Sequence, residues 1–209
     1  MTTVDTPTGR GVRRGAVQAP EAPVGRTTGW WGMVLFIATE SATFGAFVAS
    51  YFYLRFVHGG PWPPKGDTLP DLVLPSIQTG ILVLSTVPMA AAVRAARRGA
   101  RGLLWLTMLV VALSGTAFVV LQGLDYVSEW PDSTISKDTY GSLFYTLTGL
   151  HGLHVMGGIG MIVVLLLSAS VGRIGRRRPE PVGIVSLYWY FLAVVAVAVY
   201  CTVYISPYL

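Results

Sequence analysis

Cysteine is all but missing from this chain, and charge is scarce. Cys201 is the only thiol, which excludes an internal disulfide, a CxxCH haem attachment, an iron–sulfur cluster and any two-cysteine metal site within the chain. Histidine stops at three residues, His58, His151 and His154. Charged residues fill 12% of the 209 positions, about half the share of a typical soluble domain, whereas 53% are hydrophobic. No phosphate loop, nucleophile elbow, HExxH pair or dinucleotide fingerprint occurs, so the chain offers no catalytic constellation of its own. The imbalance between apolar and charged residues points to lipid as the solvent.

The apolar residues gather into five blocks, near residues 30–57, 74–94, 102–124, 140–171 and 182–206. Each is long enough to cross about 30 Å of hydrocarbon as a helix. The expected fold is therefore all-α, a polytopic bundle of five transmembrane helices over residues 30–209. Residues 1–29 contain Pro, Gly, Thr and Arg but no apolar run, so they are read as a flexible tail and not as a signal peptide. Of the fifteen basic residues, twelve lie in the tail and in the second and fourth connections, among them Arg10, Arg26, Arg94, Arg101, Arg173 and Arg178. Only Arg55, Lys65 and Lys137 fall on the other side. This asymmetry places the N-terminus in the cytoplasm and, after five spans, the C-terminus outside; it also explains the net charge of +5 without nucleic acid.

Few residues in the spans can carry chemistry. Glu40 falls near mid-membrane, where an acid demands a reason. A helical turn places it on an aromatic face with Phe36, Phe44, Phe47 and Tyr51, opposite a small face of Ala38, Ala42, Gly45, Ala46 and Ala49. The small face is expected to receive a neighbouring helix, leaving the aromatic ridge to lipid, a partner subunit or a cleft. Glu40 then has either a lipid- or proton-related role or a packing hydrogen bond.

His151 and His154 sit at i and i+3 on one helical face and cannot clamp a single haem from opposite sides. Haem or copper would need ligands from other spans, and His58 lies at the outer end of the first. The pair is therefore read as polar packing, with Gly149, Gly152, Gly157 and Gly158 permitting close approach, and no metal or catalytic residue is assigned. Gln78, Gln122, Thr39 and Thr148 are read as packing hydrogen bonds in the same way.

The segment LQGLDYVSEWPDSTISKDTYGSLFYTLTGLHGLHVMGG, residues 121–158, resembles subunit III of haem-copper terminal oxidases. The resemblance rests on the LQ and Asp125–Tyr126 pairs, TIS, YGSLFY and TGLHGLHV in that order. It extends to FIATES around Glu40, LPSIQTGILVLST in the second span and YWYF in the fifth, and so covers roughly residues 30–206. Five spans look like the shorter bacterial form of the cytochrome c oxidase subunit III family.

The resemblance implies a subunit without a redox centre, haem and copper being held by partner subunits I and II. Such a subunit packs against the catalytic one, binds phospholipid in a helical cleft, and supports proton uptake and stability during turnover. Glu40 with Phe36, Phe44 and Phe47 matches the cleft, and His151, His154, Gln122, Asp125, Tyr126 and Trp189 match polar packing positions. One departure stands out: the family's last helix usually reads Trp-His-Phe, a small apolar residue, then Asp, whereas Tyr190 and Ala193 stand here in place of His and Asp. That leaves a quinol oxidase or nitric oxide reductase accessory subunit as alternatives. A small proton-coupled transporter using Glu40 and His151 is a third, but the chain has neither an inverted repeat nor paired broken helices.

Overall fold

The structure, a computed structural model, describes residues 26–60, 62, 71–129, 139–175 and 178–209. The tail up to residue 25, Lys65, the acidic connection with Asp132, Lys137 and Asp138, and Arg176 and Arg177 lie outside the described residues. The helices are α1 (Thr28–His58), α2 (Val73–Leu84), α3 (Thr86–Arg98), α4 (Arg101–Glu129), α5 (Thr139–Ser170) and α6 (Glu180–Tyr200), the last continued by a wide turn, Cys201–Ile205, and a final tight turn, Ser206–Tyr208. With α2 and α3 taken together, five helices among the described residues are long and apolar enough to cross a membrane. Their outward surfaces carry Leu35, Phe56, Leu84, Leu113, Leu153, Val164 and Val194, as hydrocarbon contact requires.

Ser85 divides the second span, a break absent from the sequence expectation. Its cause is Pro88, which has no N–H to offer the carbonyl of Leu84 and whose ring crowds it. Two hydroxyls bond back to the preceding turn: Ser85 Oγ donates to Leu82 O (2.6 Å) and Thr86 Oγ1 to Val83 O (2.6 Å). At the arginine-rich end, α3 turns into α4 through Gly99, whose φ of 75° belongs to the left-handed region that glycine enters without strain. The Ala100 amide donates back to Ala95 O (3.0 Å) and that of Gly99 to Ala96 O (3.1 Å), which caps α3 and makes α3 and α4 an antiparallel hairpin.

Helix α6 is the most buried span and packs against α1, α2, α3 and α5, while α4 packs against α2, α3 and α5. Its anchor is Trp189, fully buried, whose indole N–H donates to Ser85 Oγ (2.8 Å). The ring lies in a slot cut by two glycines. A methyl group on Gly115 of α4 would come within 2.8 Å of the indole and 2.9 Å of Ile159, and one on Gly158 of α5 within 2.9 Å of Leu192 and 3.1 Å of the indole. Of the four glycines in the histidine segment, only Gly158 serves close approach; Gly152 has no atom near its missing side chain, Gly149 meets only the Tyr126 hydroxyl at 3.4 Å, and Gly157 only that of Tyr188 at 3.9 Å.

A second, aromatic cluster closes the other end of the bundle, with Tyr51, Trp62, Tyr140, Phe144, Val199 and Tyr204 at its centre. Trp62 Nε1 donates to Tyr51 OH (3.0 Å). Ser206 Oγ gives its hydrogen to Thr202 O (2.7 Å), so it accepts from Tyr51 OH (3.0 Å). Arg55 Nη1 donates to Ser206 O (2.7 Å), placing a cation at the carbonyl end of the last helical turns. The end of α1 is thereby tied to the end of the chain.

The glycine slot predicts an asymmetric response to small additions. Gly115→Ala should lower stability by about 1–3 kcal/mol through overpacking. Gly45→Ala, on a helix face where nothing lies within 4 Å, should change it by less than about 0.5 kcal/mol. Thermal unfolding in mild detergent compares the two.

Candidate functional site

Helix α1 presents Met33, Ile37, Glu40, Phe44, Val48 and Tyr51 to the bundle, a spacing of three and four residues that keeps one stripe inward. Phe44 and Tyr51 are its fully buried members. Within the chain the aromatic ridge, expected to be left to lipid, a partner subunit or a cleft, turns toward α5 and α6, and the small face with Ala38, Ala42, Gly45, Ala46 and Ala49 is exposed. Within one chain the larger rings gain more by burial than the alanines do. Phe36 sits at the margin, 44% exposed and 5.8 Å from the ring of Tyr188, and Phe47 packs partly buried against the aromatic cluster.

Glu40 lies roughly 18 Å along α1 at about 1.5 Å per residue. Its Oε2 meets His154 Nε2 at 2.8 Å, the pair being 21% and 14% exposed respectively. The other ring nitrogen settles the proton count. A carbonyl oxygen only accepts, so His154 Nδ1 carries a hydrogen and donates it to Leu150 O (2.7 Å). Nε2 then bears a hydrogen only in an imidazolium. The contact with Glu40 therefore holds one further proton, on a neutral carboxyl that donates to Nε2 or on an Nε2 that donates to a carboxylate. Either way the pair is neutral overall, which is how an acid is accommodated at this depth. Tyr188 OH donates to His154 O (3.1 Å), fastening α6 to the same turn, and Phe44 stands edge-on 5.1 Å from the His154 ring.

The other polar positions form cross-links between helices. Tyr204 OH donates to Asp125 Oδ2 (2.6 Å), joining the end of the chain to α4. Thr148 Oγ1 donates to Phe144 O (2.6 Å) and so accepts from Tyr126 OH (2.8 Å), joining α4 to α5. Gln78 Nε2 donates to Gln122 Oε1 (3.2 Å), joining α2 to α4. His151 differs from its neighbour: it is buried between Phe118 and Phe44, and neither ring nitrogen has a protein partner. Thr39 turns back on its own helix, its hydroxyl donating to Phe36 O (2.7 Å).

Two open grooves run elsewhere on the bundle. One, of about 860 Å³, lies between α3 and α6 and is lined by Val87, Ala90, Arg94, Tyr190, Ala193 and Val197. Both positions that depart from the family pattern in the last helix open onto it. The other, about 580 Å³, lies between α4 and α5 over Gly123, Tyr126 and Gly152. Neither is lined by Glu40, Phe36, Phe44 or Phe47. Among the described residues no three His, Cys, Asp or Glu side chains come together as metal ligands. Sequence reasoning missed Ser85 and Tyr188; Pro88, three residues past Ser85, was the available signal for the first, and the second had none.

The Glu40–His154 link predicts a difference between polar and apolar replacements. In Glu40→Gln the amide N–H can still donate to His154 Nε2, so stability should stay near that of the wild type. Glu40→Leu leaves that nitrogen bare and should cost about 0.6–1.7 kcal/mol, the span measured for hydrogen bonds between membrane helices. Denaturant unfolding of both variants checks the ordering.

Comparison with known proteins agrees with this architecture. The family model for cytochrome c oxidase subunit III matches residues 12–208. A Nocardia farcinica protein named as a probable cytochrome c oxidase subunit 3 is 34% identical over 174 residues, covering 83% of this chain and 85% of its own. A probable cytochrome c oxidase subunit 3 of Mycobacterium leprae is 32% identical over the same shares. The Rattus norvegicus cytochrome c oxidase subunit 3 is 31% identical over 198 residues, 92% of this chain and 75% of that protein. With all five spans inside the matched residues, the chain belongs to the cytochrome c oxidase subunit III family.

Proposed function

We propose that the chain is the non-redox accessory subunit of a proton-pumping haem-copper oxygen reductase of the aa3 cytochrome c oxidase type, in a bacterial cytoplasmic membrane. It packs against catalytic subunit I in a complex that includes subunit II; those partners carry haem and copper, and this chain carries none. The N-terminus is cytoplasmic and the C-terminus outside. Its contribution is to stabilise the catalytic subunit during turnover, to bind phospholipid and to support proton uptake.

The observation that carries the reading is the outward face of α1. This 31-residue helix has only Phe44 and Tyr51 fully buried, and it turns Ala38, Ala42, Gly45, Ala46 and Ala49 away from its own bundle. Small residues at such spacing let a second helix approach closely, and we assign that helix to the catalytic subunit. Phospholipid is assigned to the margin of the same helix, where Phe36 and the partly exposed Glu40 meet Tyr188. Arg94, Arg97, Arg98, Arg101 and Arg173 lie at one end of the bundle and attract anionic head groups, each basic residue near such a surface contributing about 1 kcal/mol.

Purification of the tagged native protein should bring down haem-copper subunits I and II and an a-type reduced-minus-oxidised spectrum; isolation without haem or partners under still milder extraction overturns the assignment. Gly45→Leu should release the partners while α2–α6 remain folded, because nothing within the chain meets a side chain there. Full retention of the partners would remove this face from the interface. Glu40→Ala should lower the phospholipid that co-purifies and shorten catalytic lifetime, and unchanged values of both would count against the lipid assignment.

A further inference from the structure

Four buried polar atoms belong to three side chains that line one small pocket in the bundle. Gln78 of α2, Gln122 of α4 and His151 of α5 are 2%, 6% and 2% exposed. After the single bond between the two amides, Gln78 Oε1, Gln122 Nε2 and both imidazole nitrogens of His151 have no partner in the protein. All three side chains line one small pocket of about 10 Å³, to whose wall α6 contributes Ala196, Val199 and Tyr200. Buried polar atoms are nearly always paired, so a group of them around one space describes a ligand.

Three hydroxyls of the wall have their hydrogens committed elsewhere. Thr148 and Tyr204 give their hydrogens to Phe144 O and Asp125 Oδ2. Ser76 Oγ donates to Leu72 O, so Tyr200 OH is left to donate to Ser76. Gln122 lies beside the Tyr204 hydroxyl without closing a bond of ordinary geometry. Phe118 stands edge-to-face against the imidazole at 5.3 Å and 90°, and Phe44 at 6.3 Å and 72°, so a polar partner for His151 has to come from the cavity.

The chemistry of the ligand follows from the donor and acceptor inventory. A neutral imidazole presents one donor and one acceptor, Gln78 adds an acceptor and Gln122 a donor. A cation is unsuited, since half of these atoms present hydrogens and no carboxylate lines the cavity. An anion is unsuited for the converse reason. One molecule that both donates and accepts, in a space that holds about one water, matches the two amides and one ring nitrogen. We infer that the Gln78–Gln122–His151 cluster is a built site for one ordered water, which bridges the imidazole to the amide pair and pins α2, α4 and α5 together inside the bundle.

Because the chain has only three histidines, solid-state NMR of the full-length protein labelled with ¹⁵N-histidine, in whatever complex it purifies with, can read the site directly. Magnetisation from water should reach one His151 imidazole nitrogen, and its resonance should show a hydrogen-bonded nitrogen. In Gln78→Leu/Gln122→Leu that transfer should fall to background while the His154 resonances stay in place. The wild-type spectrum decides even where the double variant does not fold. No transfer from water to His151, or a density map in which a glutamine amide lies directly on the imidazole, overturns the inference.

Discussion

The indole of Trp189 is the constraint around which the other helices are set. Its N–H reaches Ser85 at the break of the second span, and its ring fills the slot left by Gly115 and Gly158. Three helices are thereby held at a fixed distance and rotation from α6. The polar bond supplies direction and the glycines supply depth. A bulkier residue at either glycine, or a straight second span that carried Ser85 elsewhere, would leave the ring without a seat. The Pro88 break is therefore part of the packing, because it sets the turn at Ser85, whose hydroxyl donates to Leu82 O and accepts from the indole.

Much of this was legible in the sequence, and for identifiable reasons. Span number and extent follow from uninterrupted apolar length, which lipid enforces without reference to neighbours. The family order around residues 121–158 pointed to subunit III, and the comparisons show it. What could not be read was rotation. Which face of α1 turns into its own bundle is not legible, because a small face suits a neighbouring helix of either chain and an aromatic face suits either helix or lipid. Choosing between them requires knowing whether the neighbour lies in the same chain. The partners of Glu40 and Trp189 were hidden for a related reason: each is far away in sequence, 114 residues for His154 and 104 for Ser85.

The two histidines one turn apart have separate fates. His154 faces α1 and shares a proton with Glu40, with Leu150 O fixing its tautomer. His151 faces α2 and α4 and is dry of protein partners. The ring of Phe44 packs edge-on against both, 5.1 Å from the His154 ring and 6.3 Å from that of His151. An i, i+3 spacing thus serves two different interfaces of the same helix, and the three-residue rotation is what parts them.

Helix α1 packs on α6 and, to a lesser extent, on α5, the last two spans to be made. During synthesis at roughly 5–20 residues per second, the interval between the emergence of Glu40 and that of His154 is on the order of ten seconds. Through that interval the first helix has no destination within its own chain. It must wait in the membrane with an acid that has yet to meet its base and a ridge of rings that has yet to meet its groove. The carboxyl end of the chain, gripped by Arg55, is the latch that ends the wait. A ribosome that stalled before α5 would release a span that is inserted yet unmoored, so the bundle closes from the last helix back to the first.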